Sequence, residues 1–203
     1  MNLDTLRVET ARRVINETEN KLVFVGDSAY AIPGLINVVG NISEDIAQGA
    51  AAGTPAFKRL WVNKTPKEIL ADLRTAKLKA SVGGLFEPDA LILPPDQYEA
   101  LTQPYSDQSP LTILSWLNTQ GMYFKTIMKA RELSAAFNGL TPAADCFIVM
   151  ESSREVAEIA VVRDITLLPP VYDVLYNSEQ AVIQSTAGAI IRHPSAIYVG
   201  RVC

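Results

Sequence analysis

The sequence predicts an α+β fold, and three observations carry that reading. A long amphipathic helical pattern opens the chain over residues 3–22. The chain is β-rich from residue 156 onward. Between these ends, helices and strands intermingle without a regular βαβ alternation, which disfavours a doubly wound parallel fold. At 203 residues the chain fits one compact domain or two small ones. A domain of this size buries roughly 70% of the surface its unfolded chain exposes, so neither metal nor disulfide is needed to hold it.

Leu3, Leu6, Ala11, Val14, Ile15, Thr18 and Leu22 recur near helical spacing, while Arg7, Glu9, Arg12, Arg13, Glu17 and Glu19 take the other positions as a solvated face. Leu22-Val23-Phe24-Val25 reads as a short strand ending at Gly26-Asp27, and Pro33-Gly34 as a turn. Residues 40–56, rich in Gly, Ala, Ser and Asn, predict a mobile loop. Thr65-Pro66-Lys67-Glu68 is a helix start, with Thr65 as cap, Pro66 at the first helical position and Glu68 completing a capping box. Ile69, Leu70 and Leu73 form the apolar stripe of that helix, and Gly83-Gly84 closes the region.

Ala90 to Leu93 predicts a buried strand. Pro94 and Pro95 stop it, because proline has no N–H for a sheet ladder. Asp96 follows, then a short helical pattern with Tyr98 and Leu101 on one side. Ser109-Pro110 predicts a second capped helix, running through Leu111, Leu114, Trp116 and Leu117 to about Asn118. Residues 122–130 read as a strand, and residues 145–150 as a buried strand with Asp145 at its edge. Val156 to Val162 is a further strand, followed by a second double-proline corner at Leu167-Leu168-Pro169-Pro170. Ala181 to Ile191 and Ser195 to Val199 are the last strands, split by His193-Pro194. No internal repeat or heptad pattern is present.

The composition, 48% hydrophobic and 20% charged, is that of an ordinary globular protein. A net charge of −4, with no basic run and no basic stripe interleaved with aromatics, gives no electrostatic footprint for nucleic-acid binding. No run of 18 apolar residues exists, so no membrane span is expected, and Met1-Asn2-Leu3-Asp4-Thr5 does not open a signal peptide. Cys146 lies in the apolar run Cys146 to Met150 as a small core hydrophobe, and Cys203 is the last residue. Both thiols are expected reduced, which places the chain in the cytosol or in a particle assembled there.

Leu22 to Ser28, with Gly26-Asp27-Ser28, resembles the first block of the GDS-type (SGNH) serine esterases. That chemistry needs a base to take the serine proton and a carboxylate to orient the base. The esterases supply both as Asp-x-x-His, whereas His193 is the single histidine and Ile190 stands three residues before it. Their Gly-x-Asn-Asp block is also missing, Gly40-Asn41-Ile42 being the nearest stretch. With one histidine and no cysteine pair, a zinc site lacks ligands. The pairs Glu44/Asp45 and Glu17/Glu19 lie in solvated contexts that do not split carboxylate pKa values. There is no Walker loop and no Gly-x-Gly-x-x-Gly, and Gly83-Gly84 lacks a following lysine. No catalytic, cofactor-binding or metal residue is predicted, and the expected protein is not an enzyme.

Read in order, five segments carry a resemblance. They are the 3–22 helix running into Val23 to Asp27; Ile32-Pro33-Gly34-Leu35-Ile36-Asn37; Trp61 with Thr65 to Leu73; Pro88 to Tyr98; and Gly188 to Ile197, which contains Arg192-His193-Pro194. Their order and spacing resemble the tailed-phage major capsid proteins of the Hong Kong 97 type fold, in the branch related to encapsulin shells. The resemblance implies a long spine helix, a peripheral β-rich domain and an axial mixed-sheet domain flanked by helices. The peripheral domain would comprise 1–40, completed by about 173–191. The axial domain would comprise 41–172, completed by about 192–203. Family members carry an N-terminal arm and an extended β-hairpin loop before the spine helix; here the helix starts almost at Met1, so both are expected to be missing.

The function implied is that of a structural subunit of an icosahedral bacteriophage or prophage capsid. It would self-assemble into pentamers and hexamers, with other virion proteins as further partners, no sequence-specific nucleic-acid binding and no cofactor. The implied location is the virion, after assembly in the host cytoplasm. The alternatives are an encapsulin-like compartment shell and, disfavoured, the serine esterase.

Overall fold

A computed structural model describes residues 3–106, 109–119, 123–169, 171–172, 178–179 and 182–202. The chain opens with helix α1 (Leu3–Phe24). The Val25 N–H still reaches the Lys21 carbonyl at 2.8 Å, so Leu22-Val23-Phe24 is the last turn of this helix and not the strand its β-branched run suggests. The N–H groups of Leu35 and Ile36 donate to the Val23 and Phe24 carbonyls at 3.0 and 3.1 Å. Those bonds satisfy acceptors that a helix C-terminus leaves without partners.

Strands β1 (Gly26–Asp27) and β2 (Ile32–Pro33) pair antiparallel directly after the helix. Gly26 has φ +77°, and a Cβ there would lie 2.3 Å from the Ile32 carbonyl oxygen, so only glycine fits this backbone crossing. In chain order there follow β3 (Ile42–Asp45), α2 (Pro55–Arg59), α3 (Pro66–Ala80), β4 (Ala90–Leu93), α4 (Pro95–Ala100), β5 (Pro104–Ser106) and β6 (Ser109–Thr112). Next come α5 (Ile113–Thr119), β7 (Thr126–Lys129), β8 (Asp145–Met150), β9 (Ala157–Leu167), β10 (Val171–Tyr172), β11 (Ser178–Glu179), β12 (Val182–Ile191) and β13 (Ile197–Val202).

The central sheet has five strands in the order β3-β13-β8-β4-β7. β13 runs parallel to β3 and β4 parallel to β7, while β8 is antiparallel to both β13 and β4. Side chains alternate along each strand, so one sheet feeds two cores. Leu91, Leu93, Phe147, Val149, Tyr198 and Val202 meet Trp61, the α3 stripe Ile69, Leu70 and Leu73, and Ile113 and Leu117 of α5. On the other face Ala90, Ile92, Cys146, Ile148, Ile197 and Val199 meet Val23, Leu35, Ile36, Leu133 and Val156. Burial on both faces is why β4 and β8 read as continuous apolar runs. The double-proline corner has the expected form. β4 stops at Leu93, Pro94 stands just before α4, and the Tyr98 N–H donates to the Pro94 carbonyl at 3.0 Å.

Several expectations are corrected. Residues 40–56 are not a mobile loop: they include β3, an edge strand of the central sheet, followed by buried Ile46. The second helix does not begin at Ser109-Pro110. Those residues belong to β6, paired with β5 in a two-stranded hairpin that tolerates a proline, and Thr112 caps α5 by accepting the Ser115 N–H at 3.1 Å. The strand expected at 122–130 is limited to Thr126–Lys129 among the described residues, 122 lying outside them. The last strand starts at Ile197, because Pro194–Ala196 is a 3-10 turn. Pro170 of the second corner and Ala181 lie outside the described residues, and β9 ends on the first residue of that corner, Leu167.

β9 is paired along its length with β12 in a ribbon separate from the central sheet. The ribbon lies against α1. Gln184 Nε2 donates to Glu19 Oε2 at 3.0 Å, and at Gly188 a Cβ would meet Leu22 at 3.5 Å and Ile32 at 2.9 Å. Residues 157–167, expected with the 41–172 unit, therefore pair with the strand expected in the other unit.

Candidate functional site

The groups that invited a catalytic reading serve local structure. Asp27 Oδ1 accepts the Ala29 N–H at 2.9 Å and caps the 3-10 turn Ser28–Tyr30. His193 precedes the Pro194–Ala196 turn, with its ring 5.3 Å from that of Phe86. No hydrogen bond joins Ser28 to His193 among the described residues. Gly26 is explained by the β1–β2 crossing, not by a nucleophile turn.

The paired carboxylates are also occupied. Glu44 bonds Lys79, and Asp45 lies between Arg59 at 3.2 Å and Arg201 at 2.9 Å. Glu17 pairs with Arg13 at 3.0 Å, and Glu19 accepts from Gln184. Cys146 is fully buried, and burial pushes its thiol up to about 12, as a core residue requires. Among the described residues no group of three His, Cys, Asp or Glu is placed to hold a metal ion, and no helix is long and apolar enough to cross a membrane.

A buried polar clasp went unread in the sequence. Lys64 Nζ lies 2.5 Å from Asp72 Oδ2 and 2.6 Å from the Ala47 carbonyl, and Trp61 Nε1 donates to the same Asp72 oxygen at 3.1 Å. The two charged side chains are only 1% and 4% exposed. Burial raises the Asp72 carboxyl above its ordinary value, and the Lys64 and Trp61 bonds oppose that rise. Glu68 accepts the N–H groups of Thr65 and Ala50, each at 2.7 Å, and these bonds hold its carboxyl below the usual range. Lys64 and Glu68 thus tie residues 47–50 to the start of α3. A signal was available, since Asp72 sits inside the Ile69, Leu73, Ala76 stripe, where a charge must find a buried partner.

The other unusual feature is uncovered surface. No described side chain of α1 is buried before Val23, and Val14 is 55% exposed. The β9–β12 ribbon exposes Ile159, Val161, Val162 and Ile190. A two-stranded ribbon is marginal by itself in water, and along β9 the side chains of Ile159 and Val161 point to one face of it and that of Val162 to the other.

A long, largely uncovered helix, a long β-ribbon lying on it and a helix-flanked mixed sheet define an α+β fold of the Hong Kong 97 capsid type. The capsid of Myoviridae phage XM1 shares it with a TM-score of 0.78 at 12% identity, over 100% of this chain and 66% of that one. The virus-like particle from Pyrococcus furiosus matches with a TM-score of 0.62 at 19% identity, over 92% of this chain and 63% of that one. A phage-related protein from Bordetella bronchiseptica RB50 matches with a TM-score of 0.59 at 13% identity, over 95% and 64%. The chain spans about two thirds of the length of these structures. By sequence it matches the major capsid protein family over residues 1–200, and it belongs to that family. No curated protein matches it.

Proposed function

We propose that this chain is the structural subunit of a phage or prophage capsid, acting by self-association into pentamers and hexamers in the virion. The observation that carries the proposal is the contrast between a sheet sealed by cores on both faces and a 22-residue helix with a β-ribbon beside it, both largely uncovered. The uncovered surfaces are those that copies in a shell bury, and rotational symmetry closes their growth. Family membership supports the same reading. The axial unit is then the five-stranded sheet with α2 to α5. The peripheral unit is α1, β1, β2 and the ribbon, which moves β9 out of the axial unit. Assembly takes place in the host cytoplasm, and other virion proteins are further partners.

Sedimentation velocity of the purified chain over a concentration series tests the proposal. Species of five or six copies, or larger closed particles, are expected; a single monomer boundary at every concentration contradicts it. The compartment alternative shares this geometry and is separated from a capsid by what the particle encloses, protein cargo in place of a genome.

A further inference from the structure

Lys64 and Asp72 are an amine and a carboxyl held in contact where water does not reach. Their side chains are 1% and 4% exposed, with Nζ 2.5 Å from Oδ2. Fully buried Trp61 bonds Asp72, and Ile69, Leu73 and Ala76 share its buried face of α3. In such a place two full charges lose their hydration, and their attraction must offset that loss. Moving one proton from the ammonium to the carboxylate removes both charges. Burial raises the Asp72 carboxyl, which favours that neutral pair. A neutral pair is an amine nucleophile facing a protonated acid, and the 2.5 Å contact sets Nζ close to the roughly 3–3.5 Å from Cγ at which attack begins.

The two remaining bonds of the clasp suit an amide better than an ion pair. An ammonium has three N–H donors, whereas a secondary amide has one N–H and one carbonyl oxygen. Nζ donates to the Ala47 carbonyl at 2.6 Å, and Asp72 Oδ2 accepts the Trp61 Nε1–H at 3.1 Å. An amide between these side chains keeps both bonds, its N–H on Ala47 and its oxygen on Trp61. The Trp61 donor also sits where charge gathers on Oδ2 as a tetrahedral intermediate forms.

We infer that Lys64 and Asp72 join in an intramolecular isopeptide bond, which pins the chain before α3 to the middle of that helix. The Lys64 ammonium gives one proton to the Asp72 carboxylate, and Nζ attacks Cγ. A second proton passes from Nζ to Oδ1, the Cγ–Oδ1 bond breaks, and water leaves with both protons. No oxidant or co-reactant enters. The dry core then withholds the water that would reverse the step. The bond forms within one chain and is independent of the self-association proposed above.

Mass spectrometry of the denatured chain tests the inference, since an ion pair does not survive denaturation and an amide does. The wild type should weigh one water less than its sequence. A tryptic digest should hold residues 60–67, uncut after Lys64, joined to residues 68–74, again short by one water. Lys64→Arg and Asp72→Ala should both return to their full sequence masses. Trp61→Phe, which keeps an aromatic ring and removes the N–H, should lower the linked fraction severalfold. A wild type at its full sequence mass overturns the inference, as does a water loss that persists in Asp72→Ala or maps outside these two peptides.

Discussion

Gly200 stands directly opposite Phe147 in the antiparallel β8–β13 ladder, and a Cβ on Gly200 would lie 2.4 Å from the Phe147 ring. The ring is fully buried, with Trp61 at 5.1 Å and Tyr198 at 6.1 Å between centroids. A glycine inside a sheet strand, unfavourable by itself, here makes room for an aromatic side chain from the neighbouring strand. Gly200→Ala is expected to cost about 1–3 kcal/mol through overpacking. In thermal melts that is a fall of about 2–4 °C per kcal/mol for a chain of this length. Phe147→Leu should soften the effect of Gly200→Ala, so the pair is less than additive.

The Lys64–Asp72 clasp predicts a second asymmetry. Lys64→Met leaves the Asp72 carboxylate buried with Trp61 as its remaining donor, and should destabilise by about 3–5 kcal/mol. Adding Asp72→Leu removes the stranded charge and should recover much of that loss. Urea unfolding of the two single variants and the double variant measures this. A double variant no more stable than Lys64→Met would show that the pair contributes more than mutual neutralisation.

Gly26 and Ser28 separate backbone from chemistry. Gly26→Ala forces a Cβ against the Ile32 carbonyl at a positive φ and should destabilise by more than about 2 kcal/mol. Ser28→Ala should change the melting temperature little. Hydrolysis of a short-chain ester that vanishes in Ser28→Ala would revive the esterase reading.

Glu68 gives the fold a defined acid response. Its folded carboxyl is held low by the Thr65 and Ala50 N–H groups, so the unfolded chain binds its proton more readily. The resulting stability is fully present above the ordinary glutamate value of about 4.3 and is lost as pH falls through the folded value. The difference in stability between wild type and Glu68→Gln should be constant from neutral pH to about 5 and shrink below about 4.3. Denaturant midpoints taken across this range supply the check.

What the sequence revealed followed the reach of the interactions involved. β4, β8, the Pro94-Pro95 corner and the Thr65–Glu68 helix start are local signals, and all were legible. Residues 40–56 were misread because what orders them lies elsewhere: β13 beside β3, and Lys64 and Glu68 holding 47–50. The run Leu22 to Val25 has strand-like residues, yet it is helical through Phe24 because Leu35 and Ile36 supply donors to the last carbonyls. Pro110 looked like a helix start because proline suits both a first helical turn and a sheet edge. The buried bond from Gln97 to Asp145 could not be read from sequence at all, since it exists only once α4 lies beside the start of β8.

Negative-stain electron microscopy of the purified, concentrated chain tests the central claim most directly. The shell reading predicts rings of five or six subunits or closed particles of uniform size. Fields holding only dispersed monomers at every concentration would contradict it.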